Sequence, residues 1–251
     1  MELSTTGETL KYTQRALGTI VRSSNIYVNK DGMRALAVDP SHVRIADINI
    51  GKKAFERYSV EKEYTIPMDV EKLGDVLRAV RPKSRVDFEY DSESKKAKFA
   101  FDCITRTIDL SDIGPIEPVR VPKLKLEHAF EMSKEDYIDA VNVAGHISDN
   151  VKINYSKGNK KGKISMSAFN KNRNDSTERM RVKCKLVKEP QQKNRFHSSY
   201  PIYELLPVLE AFPDSSIITT EFARNYPCRL SAKFADGHGS LTYLVSPRIY
   251  E

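Results

Sequence analysis

The sequence predicts an α+β protein of antiparallel sheets and short helices, built from two topologically similar halves within 251 residues. Three observations predict this. The chain repeats itself at an offset of about half its length. Its apolar residues alternate with polar ones in many short runs, the period of half-buried strands. Two stretches in the first half and their repeats in the second instead carry apolar stripes at helical spacing.

The repeat has two parts. Tyr12, Ala16, Asn25, Ile26 and Val28 fall in step with Tyr137, Val141, Asn150, Val151 and Ile153, 125 positions later. Leu73, Val76, Leu77, Val80 and Val86 match Leu205, Val208, Leu209, Phe212 and Ile218 at an offset of 132. The seven-residue difference fits a loop insertion in the second half. Each half therefore reads as a helix, several strands, a second helix and further strands.

Taken in order, Glu8 to Ser23 places Leu10, Leu17, Ile20 and Val21 on one helical stripe, with Lys11, Arg15 and Arg22 on a different face roughly 120° away. Strands are predicted at 25–29, 33–38 and 43–50. Asp69 to Val80 forms the second helix, Leu73, Val76, Leu77 and Val80 inward and Arg78 outward. Strands follow at 86–90, 97–101 and 105–110. Gly114 to Pro122 holds three prolines in nine residues, which sustains neither a helix nor a central strand, so it reads as an extended linker. The division is 1–112, a linker at 113–125, and 126–251. After the repeated helix, strands are predicted at 151–155, 164–169 and 180–187, then 216–222, 228–234 and 240–245.

Composition narrows the function. The chain is 39% hydrophobic and 30% charged, with 12 Pro and 11 Gly, which fits a globular protein and not a disordered or collagenous one. It has no apolar run long enough to span a membrane, and no secretory leader is visible at Met1 to Gly7. Cys103, Cys184 and Cys228 are odd in number and lack CxxC pairing, against a disulfide framework or structural zinc, and imply a reducing compartment. The net charge is +7, yet 152–195 alone carries 14 Lys/Arg against three Asp/Glu, so the remainder is acidic, at −4. Within that segment Arg179, Arg181, Lys183 and Lys185 alternate with Met180, Val182, Cys184 and Leu186, which reads as a solvated hairpin face.

No catalytic signature appears: the sequence has no GxGxxG, GxxxxGK[ST], HExxH or GxSxG. The Asp236-Gly237-His238-Gly239 stretch reads as a turn. Asp39-Pro40-Ser41-His42 sets an acid, a hydroxyl and an imidazole side by side, but a triad is assembled by spatial geometry, not by sequence neighbours. No cofactor and no metal is implied.

The segment Asp31 to Val43, with its Asp31-Gly32 turn and Val38-Asp39-Pro40-Ser41-His42-Val43, resembles a signature of the archaeal and eukaryotic DNA sliding clamps, the proliferating cell nuclear antigen family. Asp69 to Val80 is similar to that family's second helix, and Asp236 to Ile249 to its C-terminal ending. These segments, the repeat and the linker follow the family's order along nearly the whole chain.

The resemblance implies a DNA clamp fold, α+β, with two similar domains per chain, antiparallel sheets outside and helices lining a ring of three chains. It implies a processivity factor, not an enzyme, that encircles duplex DNA. Sequence-blind phosphate contact would come from Lys11, Arg15, Arg22 and Arg78, of which Lys11 and Arg78 fall where the family places basic residues. DNA polymerase, flap endonuclease and DNA ligase would dock peptide motifs at Val38, His42, Ile45, Ile116, Val119, Pro227, Leu244, Ser246 and Pro247, and a clamp loader would open the ring. Subunits would join through edge strands, Thr105, Arg106, Thr107 and Ile108 of one meeting Met180, Val182, Cys184 and Leu186 of the next.

The second half departs from the family pattern. Glu135, Asp139, Asn142 and His146 share the outer face of one helix, and Tyr203, Pro207 and Glu210 that of the other. Either the duplex leans toward the first half, or the chain is a non-self-assembling subunit of a heterotrimeric or checkpoint-type ring. The rival of a different class is a β-rich nucleic-acid-modifying enzyme using Asp39 and His42. The chain ends three residues after Arg248, without the longer acidic tail expected of a eukaryotic relative, which points to an archaeal source. That places it in the cytoplasm with the nucleoid, against the nucleus for a eukaryotic one.

Overall fold

The computed structural model describes residues 1–156, 163–171, 177–188 and 196–249. They form two compact units, Met1–Val121 with Lys233–Leu241, and Pro122–Ala232 with Thr242–Glu251.

Unit 1 begins with a strand, β1 (Glu2–Thr6), which runs into helix α1 (Gly7–Gly18). Thr6 caps that helix, its hydroxyl accepting the Thr9 N–H at 3.3 Å. The helix is shorter than its apolar stripe: Gly18 and the β-branched run Thr19, Ile20, Val21 do not sustain it, and the Ile20 and Val21 amides close a turn on the Leu17 carbonyl. Strands β2 (Ser23–Asn29), β3 (Gly32–Val38) and β4 (Arg44–Gly51) form an antiparallel meander. The β2–β3 turn needs its glycine: Gly32 has φ +155°, and a Cβ there would stand 2.2 Å from the Ile50 carbonyl oxygen. Then come β5 (Arg57–Ser59), β6 (Tyr64–Asp69) and helix α2 (Val70–Leu77), capped by the Asp69 carboxylate on the Lys72 N–H at 2.9 Å. Strands β7 (Arg85–Asp91), β8 (Lys96–Phe101) and β9 (Ile104–Asp109) complete a sheet in the order β5-β1-β7-β8-β9. The other strands run β4-β3-β2-β6. Both helices pack against both sets of strands.

Unit 2 repeats the plan: β10 (His128–Ser133), α3 (Lys134–Gly145), β11 (Asn150–Ser156), β12 (Lys163–Lys171), β13 (Thr177–Lys188), β14 (Phe196–Pro201), α4 (Ile202–Ala211), β15 (Ile217–Phe222) and β16 (Cys228–Phe234). Its strand order is β14-β11-β12-β13-β10-β15-β16. The last strand, β17 (Gly239–Val245), gives 239–241 to unit 1 and 242–245 to unit 2. Lys134, 8% exposed, pins the start of α3 by donating to the Phe212 carbonyl at 2.7 Å and to Asp214 at 2.8 Å.

The repeat holds in burial. Ala16 and Val141, Ile26 and Val151, Val28 and Ile153 are buried alike, and so are the five pairs of the second match. One pair diverges. Tyr137 is fully buried with its hydroxyl against Thr220, and burial holds its phenol well above the ordinary value. Tyr12 is half-exposed and donates to Glu8 at 3.0 Å.

Five strands escape the sequence pattern: β1, β5, β6, β10 and β14. β1 has one large apolar residue, Leu3, and gains its form from pairing with β7 and β5. β6 carries Pro67 and β14 ends in Pro201, and each lies at the end of its unit's strand order, where a missing N–H is tolerated.

The thiols differ in reactivity for a physical reason. Burial pushes Cys184 up to about 11 and Cys228 up to about 12, so both stay protonated at neutral pH, while Cys103 sits exposed in the β8–β9 turn. Iodoacetamide at mildly alkaline pH is therefore expected to label Cys103 of the native chain first, read by peptide mass spectrometry. Labelling of Cys228 at an equal rate would contradict its burial.

Candidate nucleic-acid interface

The basic side chains converge on the two helices of unit 1. Lys11 and Arg15 lie one turn apart on α1, and Arg78 caps the end of α2. With Gln14, Glu71 and Asp75 they line an open hollow of about 590 Å³. Arg78 is 83% exposed and paired with Asp75 at 2.8 Å, three residues back on the same helix. Arg22 is 89% exposed and 3.5 Å from Glu71. Its position corrects the sequence reading: α1 ends at Gly18, so Arg22 stands in the turn before β2 and not on the helix face. Arg15 lies over the Tyr12 ring at 5.8 Å. Exposed pairs of this kind stabilise little and are screened by salt, so they yield readily to a phosphate. The hollow thus offers three cations on a packed pair of helices.

The corresponding surface of unit 2 is acidic and apolar. Glu135, Asp139 and Asn142 are exposed on α3, and His146 caps its end. Val143 is 52% exposed and Tyr203, on α4, 66%. Pro207 is half-buried inside α4, and Glu210 is exposed.

The edge strands are arranged unequally. β9 lies at the end of its sheet. The Leu110 amide bonds to the Lys95 carbonyl at 3.0 Å, and hydrogen-bonded pairs alternate along an antiparallel ladder. Ile104, Arg106 and Ile108 therefore bond to β8, while Thr105, Thr107 and Asp109 direct their N–H and C=O groups outward. Ile108 is 6% exposed, so its side chain serves the core of unit 1. On β13 the stretch 177–184 pairs with β12 on one side only. The sequence reading takes 180–187 as one open edge. The structure corrects this at Leu186, whose backbone pairs with Phe130 of β10. Met180, Val182 and Cys184 are half-buried on the free-edged part.

The residues assigned to peptide docking divide between the units. In unit 1, Val38 and Ile45 are half-buried at facing positions of β3 and β4, His42 is exposed at φ 56° in their turn, and Ile116 and Val119 are half-buried in the linker. The Asn25 amide ties that linker down by donating to the Ile116 carbonyl at 2.9 Å. Beside it, Tyr27, Met33, Arg34, Tyr64, Pro118 and Val119 border a hollow of about 560 Å³, invisible to the sequence because strand pairing and the linker together create it. In unit 2, Pro227, Ser246 and Pro247 are half-buried, whereas Leu244 is 5% exposed and packs in the core.

Asp39 and His42 do not form a catalytic pair. Asp39 is 3% exposed, and its carboxylate is consumed by the amides of Val43 and Arg44, each at 2.8 Å. It shapes the β3–β4 turn and leaves His42 pointing to solvent. Among the described residues no group of three or more His, Cys, Asp or Glu is placed to hold a metal, and no helix is long and apolar enough to cross a membrane.

Comparison with known proteins bears on this arrangement. Residues 2–111 match the family model described as "Proliferating cell nuclear antigen, N-terminal domain". The chain is 25% identical over 252 residues to the DNA polymerase sliding clamp of Thermoplasma acidophilum, covering 99% of each chain. It is 26% identical over 250 residues to that of Archaeoglobus fulgidus, covering 97% of this chain and 96% of that protein. Its fold matches the structure titled "C-terminal region of FEN-1 bound to A. fulgidus PCNA" with a TM-score of 0.85 at 24% identity, covering 100% of this chain and 99% of that one.

Proposed function

We propose that this chain, which belongs to the proliferating cell nuclear antigen family of DNA sliding clamps, encircles duplex DNA as a ring of three copies and tethers replication and repair enzymes to it. It is a sliding clamp, a processivity factor and not an enzyme. The observation that carries this reading is the end-to-end match to curated clamps, 99% of both chains, rather than a match to one motif. The rival built on Asp39 and His42 is set aside, because Asp39 is committed to backbone amides.

In this reading Lys11, Arg15, Arg22 and Arg78 contact phosphates. Such contacts carry no sequence information, which a sliding ring requires. The duplex leans toward unit 1, since the α3 carboxylates repel it at short range. Closure joins β9, at Thr105 to Ile108, to the free-edged part of β13, at Met180, Val182 and Cys184, in the next copy. Each pairing removes two open edges at once.

Partners follow from the same reading. A. fulgidus PCNA is described with the C-terminal region of FEN-1 bound to it. By that likeness flap endonuclease, polymerase and ligase peptides dock here at Val38, His42, Ile45, Ile116 and Val119 of unit 1. The clamp associates with DNA; with relatives such as those of Thermoplasma and Archaeoglobus, the nucleoid is its place.

The test is topological. Loaded by a clamp loader, the chain is expected to stay on a nicked circular plasmid through gel filtration and to be lost once the plasmid is linearised, as a ring slides off free ends. Equal retention on both forms would mean binding without encirclement and would overturn the reading.

A further inference from the structure

The positive charge of segment 152–195 is not used by the clamp reading, and the structure gives part of it a definite surface. Strands β11, β12 and β13 bury one face: Val151, Ile153, Tyr155, Ile164, Met166 and Ala168 are all buried, on the side where α3 packs. The opposite face carries Lys152, Lys163, Arg179, Arg181 and Lys183, half-buried in the case of Lys152 and exposed in the others. Registers place them in a compact array. Lys152 stands across Ser167 from Arg181, two strand spacings or about 9.6 Å away, and Asn154 stands across Ser165 from Lys183. Among the described side chains of this face on the three strands there is no carboxylate. The next along the sheet are Glu131 of β10 and Glu221 of β15, the latter held by Arg229 at 2.9 Å.

An aromatic ring lies within the array. Phe169 is 49% exposed on β12, opposite Arg179, whose guanidinium sits 5.4 Å from the ring centroid. A solvated hairpin face has no use for an exposed phenyl ring, which burial elsewhere would stabilise by about 2 kcal/mol. Cations beside an exposed aromatic, with no carboxylate among the described side chains of the face and hydroxyl and amide groups between them, are the components of a single-strand nucleic-acid platform: phosphates take the charges and a base stacks on the ring regardless of its identity.

We propose that the outward face of β11–β13 binds single-stranded nucleic acid, through Lys152, Lys163, Arg179, Arg181 and Lys183 with Phe169 as the stacking ring. An acidic peptide would satisfy the charges but leaves Phe169 without a role, so it is the less complete match. None of these residues belongs to the set that holds the duplex; Arg179, Arg181 and Lys183 share the seam strand β13 with Met180, Val182 and Cys184, but their side chains project from the opposite sheet face.

The test measures anisotropy of short labelled oligo-dT and oligo-U on the purified full-length chain across a salt series. Lys152→Glu with Lys163→Glu is expected to weaken binding roughly tenfold or more, and to flatten the slope of log K against log salt by about 1.4, at 0.7 per single-strand phosphate contact. Phe169→Leu keeps the charge and loses the stacking, and is expected to weaken binding about fivefold or more. Unchanged circular dichroism, melting temperature and solution mass would establish that both variants fold and assemble as the parent does. Lys30→Ala with Lys53→Ala, two exposed lysines outside both sets, is expected to bind the oligonucleotides as the parent does. Parent-like affinity in the Lys152 and Lys163 pair, or an equal loss in the Lys30 and Lys53 pair, would overturn the proposal. So would an intact response to Phe169→Leu, which would mean adsorption of any polyanion. Displacement by oligo-glutamate at the same concentration as by unlabelled oligo-dT would assign the face to an acidic peptide instead. Plasmid retention in the Lys152 and Lys163 pair, tested separately, reports on the clamp reading alone.

Discussion

Thr107→Pro is expected to abolish ring closure while leaving the chain folded. The parent should give a light-scattering mass near three times 28.6 kDa, and the variant a mass near 28.6 kDa itself. The reason lies in the alternation along β9. Thr107 directs its N–H away from β8, so proline there removes no bond within the sheet, and a strand edge tolerates the ring. The same N–H would donate to the neighbouring copy. Losing it, together with the bulk of the ring at the seam, opposes pairing in each of three identical interfaces. Arg106→Pro supplies the contrast. Arg106 bonds inward to β8 opposite Phe99, so that variant should lose stability by about 3 kcal/mol and melt lower. A Thr107→Pro chain that still measures three copies would place the seam elsewhere. A Thr107→Pro chain that melts like Arg106→Pro would show the alternation to be reversed.

Lys11→Ala with Arg78→Ala is expected to make duplex binding markedly less sensitive to salt without unfolding unit 1. Each phosphate contact contributes a slope of about 0.9 in log K against log salt, so each chain should lose about 1.8. Neither side chain supports the core: Arg78 is 83% exposed, and Lys11 is half-buried along its stem. Asp75→Asn gives the opposite sign. It frees Arg78 from its carboxylate, so binding should tighten, by a few-fold at low salt and less at high salt. Duplex affinity measured by anisotropy over a salt series reads both effects. A double variant with the parent's slope would show that phosphates do not lie against this hollow.

The two predictions draw on different sources of knowledge. Lys11, Arg15 and Arg78 were legible as outward side chains because helical spacing separates the first two from Leu10 and Leu17 and the third from Leu73 and Leu77, while their role toward phosphates came from the family resemblance. Which N–H groups of β9 face outward was not, since that depends on the phase of hydrogen bonding with β8, and apolar alternation records only side-chain direction. The same limit hid β1, whereas β6 carries an alternation in Tyr64, Ile66 and Met68 that Pro67 interrupts. A strand that earns its place by pairing, like Glu2–Thr6 between β5 and β7, need carry no periodic signal of its own.

By itself the sequence determined the duplicated α+β plan, the apolar stripes of its helices, the proline linker and the concentration of positive charge in one segment. Each of these rests on local chemistry: helical and strand periods, fixed proline geometry and the identity of side chains. The tertiary structure decided what each group is free to do. It committed Asp39 to two backbone amides and left His42 without an acid partner. It moved Arg22 off its helix, drew Leu244 and Ile108 into the cores, and closed one end of β13 against β10 while leaving the rest open. It also set five cations and Phe169 on a single sheet face, with Arg179 directly opposite the ring. Partners distant along the chain settle these matters, because hydrogen-bonding capacity and exposure belong to the packed assembly of strands and not to any residue alone.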